Sequence, residues 1–148
     1  MKWIIGIISA VIAFSTMASL TGGGNRLANY DTLDDASQQE VLDNIANGFK
    51  AGFNLTAGKR AEITQIYTDT SYDLVSISVK YNDERIETAP ADAIEKTRQM
   101  LTKQTCKLAN KQKMLERGIT MRIRMHRPSG ARMGTVQVDQ EHCARYIT

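Results

Sequence analysis

The stretch "ITMRIRMH", Ile119–His126, alternates without a break. Ile119, Met121, Ile123 and Met125 fall in one phase, and Thr120, Arg122, Arg124 and His126 in the other. Successive side chains of a strand point to opposite faces, so the segment predicts a strand with one buried apolar face and one solvated basic face. Working outward, "RPSGAR" carries the Pro and Gly punctuation of a hairpin connection. "MGTVQVD" then returns as a partner strand with Val136 and Val138 inward. Upstream, "AEITQIYT" and "YDLVSISVKY" predict two further strands joined at "DTS", with Val75, Ile77, Val79 and Tyr81 in one phase. "RIET" predicts a short extra strand after the "NDE" turn.

Helical periodicity brackets these strands. Asp35 followed by Gln38 reads as an N-cap and its N3 partner. The next residues, "ASQQEVLDNIANGFK", place Val41, Leu42, Ile45 and Phe49 on one face. "NLTAGKR" reads as a loop with a Gly turn. Pro90 suits a first helical turn, and "ADAIEKTRQMLTKQTC" continues with Ala93, Ile94, Thr97, Met100 and Leu101 inward. A second short helix, "ANKQKMLER", is expected to stop at Gly118. Strands cluster instead of alternating singly with helices. The expectation is therefore an α+β domain: a small, largely antiparallel sheet of four to five strands packed with two to four helices.

The chain opens "MKWIIGIISAVIAFSTMASLTGGG", a lysine followed by an uncharged, mostly apolar run. That pattern predicts an export segment over residues 1–22, either a signal peptide cleaved near "TMA" or a single transmembrane anchor. Residues 23–34 read as a linker and 35–148 as a periplasmic domain, soluble or tethered to the inner membrane. Export bears on the only two cysteines, Cys106 and Cys143. A metal pair would want the close C-x-x-C or H-x-x-x-H spacing of local zinc sites, which is missing here. A reactive thiol would draw on His142 and nearby arginines. In an oxidising compartment the pair reads as a structural disulfide.

Charge is unevenly distributed. Residues 1–95 hold seven basic and thirteen acidic side chains, whereas residues 96–132 hold eleven basic and one acidic. Lys103, Lys107 and Lys111 recur every four residues and form one ridge on a helix. With Arg122 and Arg124 they make a candidate basic face for an acidic partner or anionic headgroups. Nucleic acid is the usual partner of such a patch. The export segment and the lack of aromatic residues interleaved with the basic ones argue against it. There is no phosphate-cradling Gly loop, no nucleophile elbow, no H-E-x-x-H and no spaced carboxylate pair. His126 reads as an exposed strand residue and His142 as a neighbour of Cys143. No catalytic residue, cofactor or metal site is expected, and the chain reads as a non-enzyme.

The Cys106–Cys143 segment, with its helix ending near the first cysteine, "LERGI" before a strand, a turn at Gly130 and "VDQEHC" at the close, resembles type II secretion pilotins of the AspS type. Those are small periplasmic α/β proteins that bind a secretin subunit. The likeness spans roughly residues 35–146, although this chain has no lipidation cysteine after its apolar run. The resemblance implies a non-catalytic periplasmic protein-binding module, an accessory or chaperone of a secretion or envelope assembly. An alternative layout is similar to ToxS-type proteins, in which an anchored accessory stabilises a membrane-bound regulator.

Overall fold

Asp34 starts the first helix. Its extended backbone (ψ 169°) lets the carboxylate accept the Ser37 N–H at 2.8 Å, which satisfies one of the free donors of the first turn. The cap lies one residue ahead of the expected Asp35, and Gln38 donates instead to the Tyr30 carbonyl at 3.0 Å. The computed structural model describes residues 29–147; the segment read as signal or anchor lies outside them. Helix α1 spans Asp35–Ala57. It runs through "NLTA", read above as loop, because Phe53 and Ala57 continue the apolar face of Phe49 and stay buried. Gly58, with φ 56°, ends it.

Strands β1 (Ala61–Asp69) and β2 (Leu74–Tyr81) pair antiparallel. "RIET" is not a strand: Glu84–Glu87 forms the single-turn helix α2, capped by the Asp83 carboxylate on Arg85 N and buried through Ile86. Four alternating residues fit a turn of helix as well as a strand, and the cap decides between them. Helix α3 covers Ala91–Lys111. No second helix follows it. Lys113 adopts a left-handed backbone (φ 66°) that breaks the helical ladder, and the chain turns until Gly118 (φ 72°) releases it into β3. Strands β3 (Thr120–His126) and β4 (Arg132–Val138) form the expected hairpin. The single-turn helix α4 (Gln140–Cys143) and a 3-10 turn at Ala144–Tyr146 close the described chain.

The sheet order is β1-β2-β3-β4, antiparallel at both ends and parallel between β2 and β3. Parallel neighbours need a long crossover, and α2 with α3 supply it. Helix α1 packs on β1 and β2, and α3 on β4. Gly134 permits the close approach of α3, since a Cβ there would stand 3.2 Å from Arg98 Cδ. Both helices cover one face of the sheet, and their buried side chains join Val75, Ile77, Tyr81, Ile123 and Val136 in a single core. Tyr30, within the stretch read as linker, belongs to that core and donates its hydroxyl to Asp73 at 2.6 Å. Cys106 of α3 and Cys143 of α4 are disulfide-bonded, so the end of the crossover helix is tied to the exit of β4.

Candidate nucleic-acid interface on the open sheet face

Alternation that turns Met121, Ile123 and Met125 into the core turns Arg122 and Arg124 to the other face, which no described helix covers. Strand register sets their neighbours. One row across the sheet reads Tyr67, Ser76, Arg122, Gln137, and the next reads Gln65, Ser78, Arg124, Thr135. A further row holds Glu62, Lys80 and His126, in which Lys80 pairs with Glu62 at 3.1 Å. Adjacent strands lie about 4.8 Å apart, so a row of four spans roughly 14 Å.

Two aromatic rings stand beside these arginines. Tyr67 and Tyr72 are 51% and 75% exposed. With Leu74 and Arg122 they line a cleft of about 460 Å³, and a smaller hollow of about 240 Å³ over Ser76 and Ser78 extends it toward Arg124. That volume lies within the range of small-ligand clefts, about 300–1,000 Å³. The Tyr67 ring is held in place: its hydroxyl donates to Asp69 Oδ2 at 2.8 Å, and Asp69 Oδ1 accepts the Ser71 N–H at 2.8 Å. The bond from Tyr67 and the one from Ser71 hold the Asp69 carboxyl below the usual carboxylate range. The same bond raises the phenol of Tyr67, so the ring stays neutral. Arg122 Nε donates to Gln137 Oε1 at 3.1 Å, which aims the guanidinium along the row. Flat neutral rings, a planar cation and amide and hydroxyl side chains can stack on bases, pair with phosphate oxygens and bond to base edges.

The basic segment therefore divides. Lys103, Lys107 and Lys111 are exposed along α3, on the helix-covered side of the sheet, and do not join Arg122 and Arg124. Arg98 is bound to Glu95 through two nitrogens, and Arg117 pairs with Asp31 at 3.6 Å. Arg127 caps α2, its Nη1 donating to the carbonyls of Ile86 and Glu87 at 2.7 and 2.9 Å. His126 Nδ1 lies 3.2 Å from the Gly130 carbonyl, and His142 Nδ1 lies 2.8 Å from Asp139. Among the described residues no three of His, Cys, Asp and Glu come together as a metal-binding group. Sequence reasoning missed Tyr67 and Tyr72, which lie far upstream of the arginines. The signal was the polar phase of "AEITQIYT", where Gln65 and Tyr67 alternate with Ile66.

No family model matches the chain, and no solved structure matches it. A stretch of 63 residues is 32% identical to the "Putative pre-16S rRNA nuclease" of Streptococcus agalactiae serotype III (strain NEM316). The protein of the same name from serotype V (strain ATCC BAA-611 / 2603 V/R) gives the same identity, and that of Streptococcus equi subsp. equi (strain 4047) gives 33%. Each match covers 43% of this chain and 45% of the relative, so the chain spans under half the length of the curated relatives it matches.

These matches correct several expectations. The resemblance to pilotins does not stand, because the relatives carry the name of a ribosomal RNA nuclease. With it go the envelope accessory or chaperone role, the regulator-stabilising alternative and the secretion partner. The expectations of a non-enzyme and of no nucleic acid are overturned by the same finding. The second expectation rested on sequence spacing, whereas strand register brings Tyr67 into one row with Arg122, far downstream in the chain. No helix among the described residues is long and apolar enough to cross a membrane.

Proposed function

We propose that this chain is an RNA-binding protein of nuclease type, which receives RNA on the open face of its sheet. The carrying observation is the placement of Tyr67 and Tyr72 in one cleft with Arg122. Base–aromatic stacking contributes about 1–3 kcal/mol per base and tolerates any sequence. Arg122 and Arg124 add charge-assisted contacts to the phosphates. The relatives' name supports RNA as the ligand and phosphodiester hydrolysis as the reaction. In such a reaction the face supplies binding and orientation, and its guanidinium groups supply positive charge where a phosphate gains negative charge.

The test is an RNA titration by fluorescence anisotropy, run beside a denaturing gel of the same RNA incubated with and without divalent cations. The wild-type chain is expected to bind single-stranded RNA with a salt dependence of a few released counterions. Arg122→Ser combined with Arg124→Ser should flatten that dependence. Binding that is absent at low salt, or indifferent to both arginines, would remove the sheet face from consideration.

A further inference from the structure

Gln137 borders two clefts. Toward β3 its Oε1 accepts from Arg122, at the edge of the cleft that holds Tyr67 and Tyr72. On its other side it lines a second cleft of about 430 Å³, between α3 and the C-terminal turn, together with Arg98, His142, Arg145 and Tyr146. Its Nε2 donates to Asp139 Oδ2 at 3.1 Å, and Asp139 Oδ1 accepts the His142 backbone N–H at 2.7 Å. A line of hydrogen bonds thus runs from Arg122 through Gln137 and Asp139 to His142. β4 is the last strand of the sheet, so no further strand stands between the two clefts.

The second cleft differs in chemistry from the first. The Arg145 guanidinium carbon sits over the Tyr146 ring, 4.8 Å from its centroid, and Nη2 donates to the Tyr146 hydroxyl at 2.7 Å. Arg98 is matched by Glu95 at 2.6 Å, and Glu141 lies in the same cleft as Arg145. With Arg98 paired to Glu95 and the Glu141 carboxylate in its lining, the cleft is a poor phosphate trap. It offers instead a guanidinium over an aromatic ring, with neutral donors and acceptors from Gln99, Thr102 and Gln137 in the same lining. Guanidinium planes and aromatic rings of this kind take unstacked bases.

We propose that this cleft is a second nucleobase subsite, continuous with the sheet face. Resting on the RNA-binding reading above, this makes the substrate a single strand. The strand stacks on Tyr67 and Tyr72, passes Arg122 and Gln137, crosses β4 and sets a further base on the Arg145–Tyr146 stack. A duplex cannot follow this path, because its base faces are covered by their neighbours and the path turns over a sheet edge.

Arg145→Ser, an exposed substitution, separates the two subsites. Single-stranded RNAs of about 4 and about 10 residues are titrated against both proteins, with a third 10-residue RNA in which half the chain is abasic. The wild type is expected to bind the longer RNA more tightly than the shorter. Arg145→Ser should weaken the longer RNA roughly five-fold or more and leave the shorter one unchanged. The half-abasic RNA should bind the wild type no better than the intact long RNA binds Arg145→Ser. Equal weakening of both lengths, or none at either, overturns the second subsite while the sheet face stands. A wild-type protein that binds neither RNA overturns the RNA-binding reading itself.

Discussion

Replacing Tyr67 with alanine removes a ring that is half exposed and whose register partner across the sheet is the small side chain of Ser76. The fold loses little, within about 1 kcal/mol as for most surface substitutions. RNA affinity has more to lose. One stacked base contributes about 1–3 kcal/mol, and 1.4 kcal/mol is a factor of ten, so Kd should rise roughly 5- to 150-fold. Tyr67→Phe keeps the ring and deletes only the hydroxyl that donates to Asp69. It should bind RNA within about two-fold of the wild type, because stacking uses the π-face. The same variant releases Asp69 from the first of the bonds that hold its carboxyl low. Its pKa should therefore rise toward the ordinary carboxylate value, followed by side-chain NMR titration. A lowered carboxyl pKa means that the bond is present above the unfolded pKa and lost as pH falls through the folded one. The loop Asp69–Asp73 should accordingly loosen in acid in the wild type and do so at a higher pH in Tyr67→Phe, where only the Ser71 N–H still holds the carboxylate. If Tyr67→Ala binds RNA as tightly as the wild type at low salt, the stacking argument fails. If Tyr67→Phe is as damaged as Tyr67→Ala, the hydroxyl and not the ring carries the contact.

Ile123→Asp should unfold the domain, since Ile123 is 1% exposed between Ile77 and Val136 and an unpaired carboxylate there costs several kcal/mol. Arg122→Ser, one residue away on the open face, should shift the urea midpoint little, and equal shifts would refute the facing of β3. Replacing both Cys106 and Cys143 by serine opens a closure of 37 residues, which the chain-entropy model values at about 4 kcal/mol. Thermal unfolding with and without reductant checks this, and an unchanged midpoint in both cases would refute it. Reversing Lys103, Lys107 and Lys111 to glutamate places negative charge on the helix side of the sheet, and exposed charges more than roughly 8 Å apart are largely screened at physiological salt. Binding of a short RNA of about 4 residues, confined to the sheet face, should change less than two-fold at that salt, and a larger loss would mean that the helix side of the sheet contributes to that site.

The local elements were legible because their signals are local. Period-two alternation in Ile119–His126 and in Leu74–Tyr81 is a property of eight successive residues: it marks both strands, and in the first it also marks the half-buried side away from the core, whereas both sides of Leu74–Tyr81 are largely buried. The apolar spacing of α1 and α3 is legible for the same reason, although their ends were not. Phe53 and Ala57 carried α1 past the expected loop, and Lys113 stopped α3 where periodicity alone would have continued in a second helix. The pairing of the two cysteines was read from their number together with the export segment, and the two are bonded. "RIET" went astray because four residues hold too little period to separate a strand from one turn of helix. What no local pattern contains is which strand lies beside which. The parallel union of β2 with β3 is settled by the path of α2 and α3 over the core, and it alone brings Tyr67 into a row with Arg122. Along the chain the aromatic residues and the arginines belong to different regions, which is why their lack of interleaving, together with the export segment, was read as evidence against nucleic acid. In the folded sheet they share one surface, because backbone hydrogen bonding sets neighbours by register and not by order.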